Sequence, residues 1–188
     1  MVVLAKFGGF LVLGLGSVMV LAAADGPQLR KQRLPAKASV GAQALPGAQF
    51  EFSCHPARDG ALSISLILAQ PDSLKGFALD VFEGPDGAGE QRDLAQWSVD
   101  TRGDGINVKG PISGWYGVDG DGFVLSRAEP NNRAGALHQL GKVLADTQAR
   151  RLRLAVSPPT AGAPLQAEVL LDGQQTALAE LLKPCLKP

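Results

Sequence analysis

The sequence predicts an α+β domain: a mainly antiparallel sheet with two short helices packed on it, stapled by one disulfide. Three observations predict it. Apolar and polar residues alternate in several short runs, the period of half-buried strands. The period lengthens to helical spacing only after Pro130 and again after Gly173. The two cysteines, Cys54 and Cys185, lie at opposite ends of the patterned region. A β-sandwich with peripheral helices is the alternative arrangement of the same elements.

The chain begins with one lysine, Lys6, followed by the charge-free stretch Phe7 to Ala24, which closes on three alanines before Asp25. A basic start, an apolar middle and small residues at the end make residues 1–24 an expected signal peptide, so the protein is expected to be exported, to a periplasm or the extracellular space. Arg30, Lys31, Arg33 and Lys37 lie just beyond it and resist translocation. Phe7–Ala24 also falls within the roughly 17–25 residues of a spanning helix, so an uncleaved anchor is the alternative, and only then is the membrane a partner. Residues 25–48, rich in Gln, Ala, Pro, Gly and basic side chains, read as a disordered basic linker, either simply solvated or a tether to an anionic surface. The globular domain then spans 49–188.

Within that domain, Phe50, Phe52 and Cys54 share one face of a first strand, and Leu62 to Leu68 repeat the pattern after a turn containing Pro56, Asp59 and Gly60. Phe77, Leu79 and Val81 predict a third strand, stopped by Gly84-Pro85-Asp86-Gly87. Leu94 to Val99 reads as a strand or a short helix, and Ile106 to Lys109 as a short strand. Ile112 to Val118 and Gly122 to Ala128 flank Asp119-Gly120-Asp121, which predicts a hairpin because Gly and Asp tolerate positive φ. Asn131 or Asn132 is then placed to cap a helix carrying Leu137, Leu140 and Leu144 and ending near Gln148. Leu152, Leu154 and Val156 return to alternation, as do Leu165 to Leu171. A last helix spans about 176–183, ended by Pro184. In an exported chain Cys54 and Cys185 are expected to pair, joining this last helix to the first strand.

Charge excludes one partner class. Eighteen basic residues balance 18 acidic ones for a net charge of +0, so nothing draws the chain to nucleic acid. Enzyme signatures are thin: there are two histidines, His55 and His138, and no Gly-x-Ser-x-Gly, HExxH, phosphate-cradling loop or Cys-x-x-Cys. The Asp-Gly clusters at Asp100, Asp104, Asn107 and at Asp119, Asp121 lack the ligand spacing of a calcium loop and read as turns. Arg102-Gly103-Asp104 spells an integrin-binding tripeptide and, among 23 glycines, reads as chance. No metal and no cofactor is expected.

Aromatic residues make up only 5% of the chain, so their positions carry information. Trp115 and Tyr116 are adjacent, and on an alternating strand one of them must face away from the core. With Asp119 and Asp121 at the edge they form the expected binding surface, since Trp and Tyr anchor interfaces. The reading is an exported, non-enzymatic binding or inhibitor module for a protein or envelope polymer. One alternative is an envelope hydrolase using carboxylates among Asp80, Glu83, Asp100 and Asp104. Another is a membrane-tethered accessory of an envelope assembly.

Overall fold

The alternating runs assemble into one antiparallel sheet, curled into a half-barrel. The computed structural model describes residues 28–84, 89–117 and 122–186. The signal peptide expected over 1–24 lies outside the described residues, as do Asp119 and Asp121. The strands are β1 (Arg30–Pro35), β2 (Lys37–Val40), β3 (Gln43–Leu45), β4 (Gln49–His55), β5 (Ala61–Leu68), β6 (Gln91–Thr101), β7 (Ile106–Tyr116) and β8 (Phe123–Glu129). After helix α1 (Ala136–Leu144) come β9 (Ala149–Val156), β10 (Leu165–Leu170) and helix α2 (Gln175–Leu182). Their order across the sheet is β1-β4-β5-β8-β7-β6-β9-β10-β2-β3.

Two long segments produce the curl. Only Ala36 separates β1 from β2, yet β1 pairs with β4 at one end of the order and β2 with β10 near the other. The second is β7, whose residues Ile106–Ile112 pair with β6 while Ser113–Tyr116 pair with β8. Pro111 sits at this changeover, where a residue without an N–H costs no ladder bond. The inner faces meet across the curl: the rings of Phe50 on β4 and Trp97 on β6 lie 6.3 Å apart although three strands separate β4 from β6 in the sheet. Around them Phe52, Leu66, Leu125 and Leu154 are buried, and this apolar area taken from water holds the curl closed.

The helices fill the open side. Leu137, Leu140 and Leu144 of α1 are buried against β6 and β7, and Leu178, Leu181 and Leu182 of α2 against β1 and β4. The disulfide Cys54–Cys185 is formed, with the Cα atoms 5.8 Å apart, and it ties the 3₁₀ turn after α2 to the end of β4.

Several expectations are corrected. Residues 30–45, read as part of a disordered linker, form β1, β2 and β3. Leu34, Ala38, Val40 and Leu45 are buried, and the small alanines weaken a period that the basic residues on the outer side hide further. Lys31 and Arg33 flank Glu51 of β4 at 3.1 and 2.7 Å. Burial raises the Glu51 pKa, but hydrogen bonds from Arg33 and Lys31 outweigh it and hold the carboxyl below its ordinary value. Phe77–Val81 is not a strand. Phe77 stacks on Phe82 at 5.7 Å, and Asp80–Phe82 forms a 3₁₀ turn that seats Phe77, Leu79 and Phe82 together in the core. Leu94–Val99 belongs to a strand, β6, and the short strand expected at Ile106 continues through Tyr116. Finally, Asn132 does not cap α1. It closes the preceding turn by accepting the Ala134 N–H, and α1 starts after Gly135.

His138 gives this fold a pH dependence. Its side chain is 2% exposed on α1 and its Nδ1 has no hydrogen-bond partner. Burial, then the charges of Lys142 and Arg133, lower its pKa below the ordinary 6.5. The unfolded chain therefore takes up this proton more readily, so stability present above about pH 6.5 is lost as pH falls toward the lower folded value. Urea midpoints are expected to fall between pH 7.5 and pH 5, and the fall to shrink in His138→Gln. An equal fall in both proteins would assign the effect to other groups.

Candidate functional site

Trp115 and Tyr116, the aromatic residues of the expected binding surface, lie at the end of β7 in a geometry that alternation alone does not give. Gly114 is buried, and a Cβ there would lie 2.5 Å from the Phe123 ring, so glycine lets Phe123 pack directly beneath β7. Tyr116 then stands edge-on against Phe123 with ring centroids 4.9 Å apart. Gly117 N–H donates to Gly122 C=O at 2.8 Å, closing the hairpin just beyond. Parity assigns Tyr116 to the inner face, but it lies at the strand end, where that face opens to solvent. Trp115 takes the outer face, in register with Val124, which faces Ile67 of β5.

Both side chains are consequently exposed, Trp115 at 43% and Tyr116 at 47%, whereas every other described aromatic side chain is buried. Tyr116 also borders a hollow of about 500 Å³ formed with Ala69–Ser73. The structure thus leaves Trp115 and Tyr116 exposed at one strand end on opposite faces of the sheet, while Asp119 and Asp121 lie outside the described residues.

A second concavity escaped the sequence reading. A trough of about 1150 Å³ crosses the outer face of the sheet from the start of β7 over β6, β9 and β10 to β2 and β3. Register builds it in two rows. Asn107, Ser98, Arg153, Glu168 and Lys37 stand side by side on successive strands, and Gln96, Ala155, Gln166, Ser39 and Ala44 form the row beside them. The charges are fixed in place: Arg151 donates to Asp100 at 3.1 Å and to Glu168 at 3.2 Å, and Arg153 donates to the other oxygen of Asp100. Those carboxylates raise the Arg151 pKa further, the hydrogen bond to Glu168 first. Gln96 donates to Asn107 at 3.0 Å.

The carboxylates named for hydrolysis are not gathered into one pocket. Glu83 bridges Gly114 near one end of β7, with exposed Asp80 in the adjoining turn. Asp100 and Asp104 lie by Ile106 at the other end, roughly 25 Å away at strand rise. Among the described residues no group of three or more His, Cys, Asp or Glu could hold a metal ion. No described helix is long and apolar enough to cross a membrane. Comparison with family models, with curated proteins and with solved structures finds no match to this chain.

Proposed function

We propose that this chain is an exported, non-enzymatic binding or inhibitor module whose partner is a protein or envelope polymer held at Trp115 and Tyr116. One observation carries the reading: in a domain that buries its other described aromatic side chains, two adjacent ones stand near half exposed at one strand end. Placing them there leaves large apolar area in water, a cost that contact with a partner would relieve, and Trp and Tyr are the residues that most often dominate binding energy. The paired strands beneath, with Phe123 packed edge-on against Tyr116, reduce the ordering cost that an unpaired segment would incur. The buried Cys54–Cys185 bond supports export, since such bonds persist in oxidising compartments.

The test is capture from envelope extracts by the disulfide-bonded protein, compared with Trp115→Ala/Tyr116→Ala. If each ring is a hot spot, each truncation weakens binding about 30-fold, and the double variant should retain no partner through washing. Equal capture by both proteins would sink this surface.

A further inference from the structure

We propose that the trough across β6, β9, β10 and β2 is a second binding site, for an uncharged oligosaccharide or polysaccharide chain. The proposal stands on the trough's own lining, apart from the aromatic surface. Sugar hydroxyls each donate and accept, so they need side chains offering both functions along a line. Gln96, Asn107 and Gln166 supply amides and Ser39 and Ser98 supply hydroxyls, on neighbouring strands and in two rows. Strand spacing sets the length: from β7 to β2 the rows run roughly 20 Å, room for an extended chain of several rings.

Other occupants fit less well. The core of a protein interface is apolar with aromatic anchors, but the apolar side chains in the two rows of the trough are Ala44 and Ala155, and exposed Leu170, outward at the end of β10, lies outside its lining. Nucleic acid requires a large excess of free cations, whereas Arg151 and Arg153 here are engaged by Asp100 and Glu168, leaving the network of Lys37, Arg151, Arg153, Asp100 and Glu168 close to charge balance. The same balance suits an uncharged polymer. Asp100 and Glu168 are held by guanidinium groups and Gln96 by Asn107, so the acceptors are positioned before a ligand arrives and less ordering is needed on binding. With no ring to stack on, a short oligosaccharide should bind weakly, with dissociation constants in the range of roughly 0.1–1 mM.

The protein produced from the full-length gene and labelled with ¹⁵N is to be titrated with chitotetraose, maltotetraose and cellotetraose. The readout is the side-chain amide signals of Gln96, Asn107 and Gln166. The expected result is saturable movement of these signals with at least one sugar. Gln96→Ala/Gln166→Ala, at two exposed positions, should weaken binding about tenfold or more, and Trp115→Ala/Tyr116→Ala should leave it within about twofold. No saturable movement with any of the sugars up to millimolar concentration would overturn the proposal. So would shifts centred on Trp115 and Tyr116, undiminished binding by the glutamine variant, or equal shifts from an extended polar peptide.

Discussion

Replacing both cysteines, Cys54→Ala with Cys185→Ala, is expected to lower the unfolding free energy by about 5 kcal/mol. The closed loop spans 131 residues, and the entropy that such a crosslink removes from the unfolded chain grows with the logarithm of loop length. Domains of this size are stable by only about 5–15 kcal/mol, so the variant should be marginal at 25 °C. The bond fixes little that packing does not already hold, because Leu178, Leu181 and Leu182 seat α2 against β1 and β4. Its effect should therefore lie chiefly in the unfolded state, leaving the native spectrum of the variant unchanged at low temperature. Urea unfolding of the native protein with and without reductant, beside the double variant, measures it. Equal unfolding free energies for all three samples would show that helix packing alone secures the C-terminus.

Legibility in the sequence followed contrast. Phe50-Glu51-Phe52 and Leu62-Ser63-Ile64-Ser65-Leu66 place bulky apolar residues against polar ones, and β4 and β5 were readable from that alone. Leu34-Pro35-Ala36-Lys37-Ala38 has the same parity, yet alanine buries too little area to stand out beside Arg33 and Lys37, so the segment of β1 to β3 reads as linker. Phe77, Leu79 and Val81 erred in the other direction. Their spacing was that of a strand, but tertiary packing of Phe77 on Phe82 selected a 3₁₀ turn.

The candidate sites divide the same way. Trp115 and Tyr116 stand out because two residues of a rare type are adjacent on an alternating strand, a local property; that the strand ends at Tyr116 and leaves both exposed is not local. The trough is a property of order: Arg153 on β9 and Glu168 on β10 each read as outward from alternation, but Lys37 joins their row only because β2 pairs with β10. Nothing local announces that a segment preceding the first recognised strand returns to the far side of the sheet. The same segment, continuous from β1 to β2, closes the curl, so the feature that was hardest to read also shapes the second site.

Glu129→Ala is expected to destabilise the fold by about 3 kcal/mol or more, because it strands a buried cation. Arg127 shares the inner face of β8 with Phe123 and Leu125, and its side chain is 5% exposed against 20% for Glu129. Its Nε donates to Glu129 Oε1 at 2.9 Å, its Nη2 donates to the same oxygen, and its Nη1 donates to the Lys109 carbonyl at 3.3 Å. Glu129 Oε2 accepts the Leu137 N–H at 3.1 Å, in the first turn of α1 where backbone donors lack helical partners. Gly110 makes room, since a Cβ there would fall 2.0 Å from Arg127 Nη1. One charge pair thus joins β7 beside its changeover to the start of the helix that fills the half-barrel. Removing the anion leaves the guanidinium without its partner and the helix without its acceptor. Replacing both, as Arg127→Met with Glu129→Ala, removes the stranded charge and leaves mainly the lost cap of about 1 kcal/mol, so the double variant should be more stable than Glu129→Ala alone. Urea unfolding of the variants checks the order, and a double variant less stable than Glu129→Ala would show that the pair contributes more than it costs to bury.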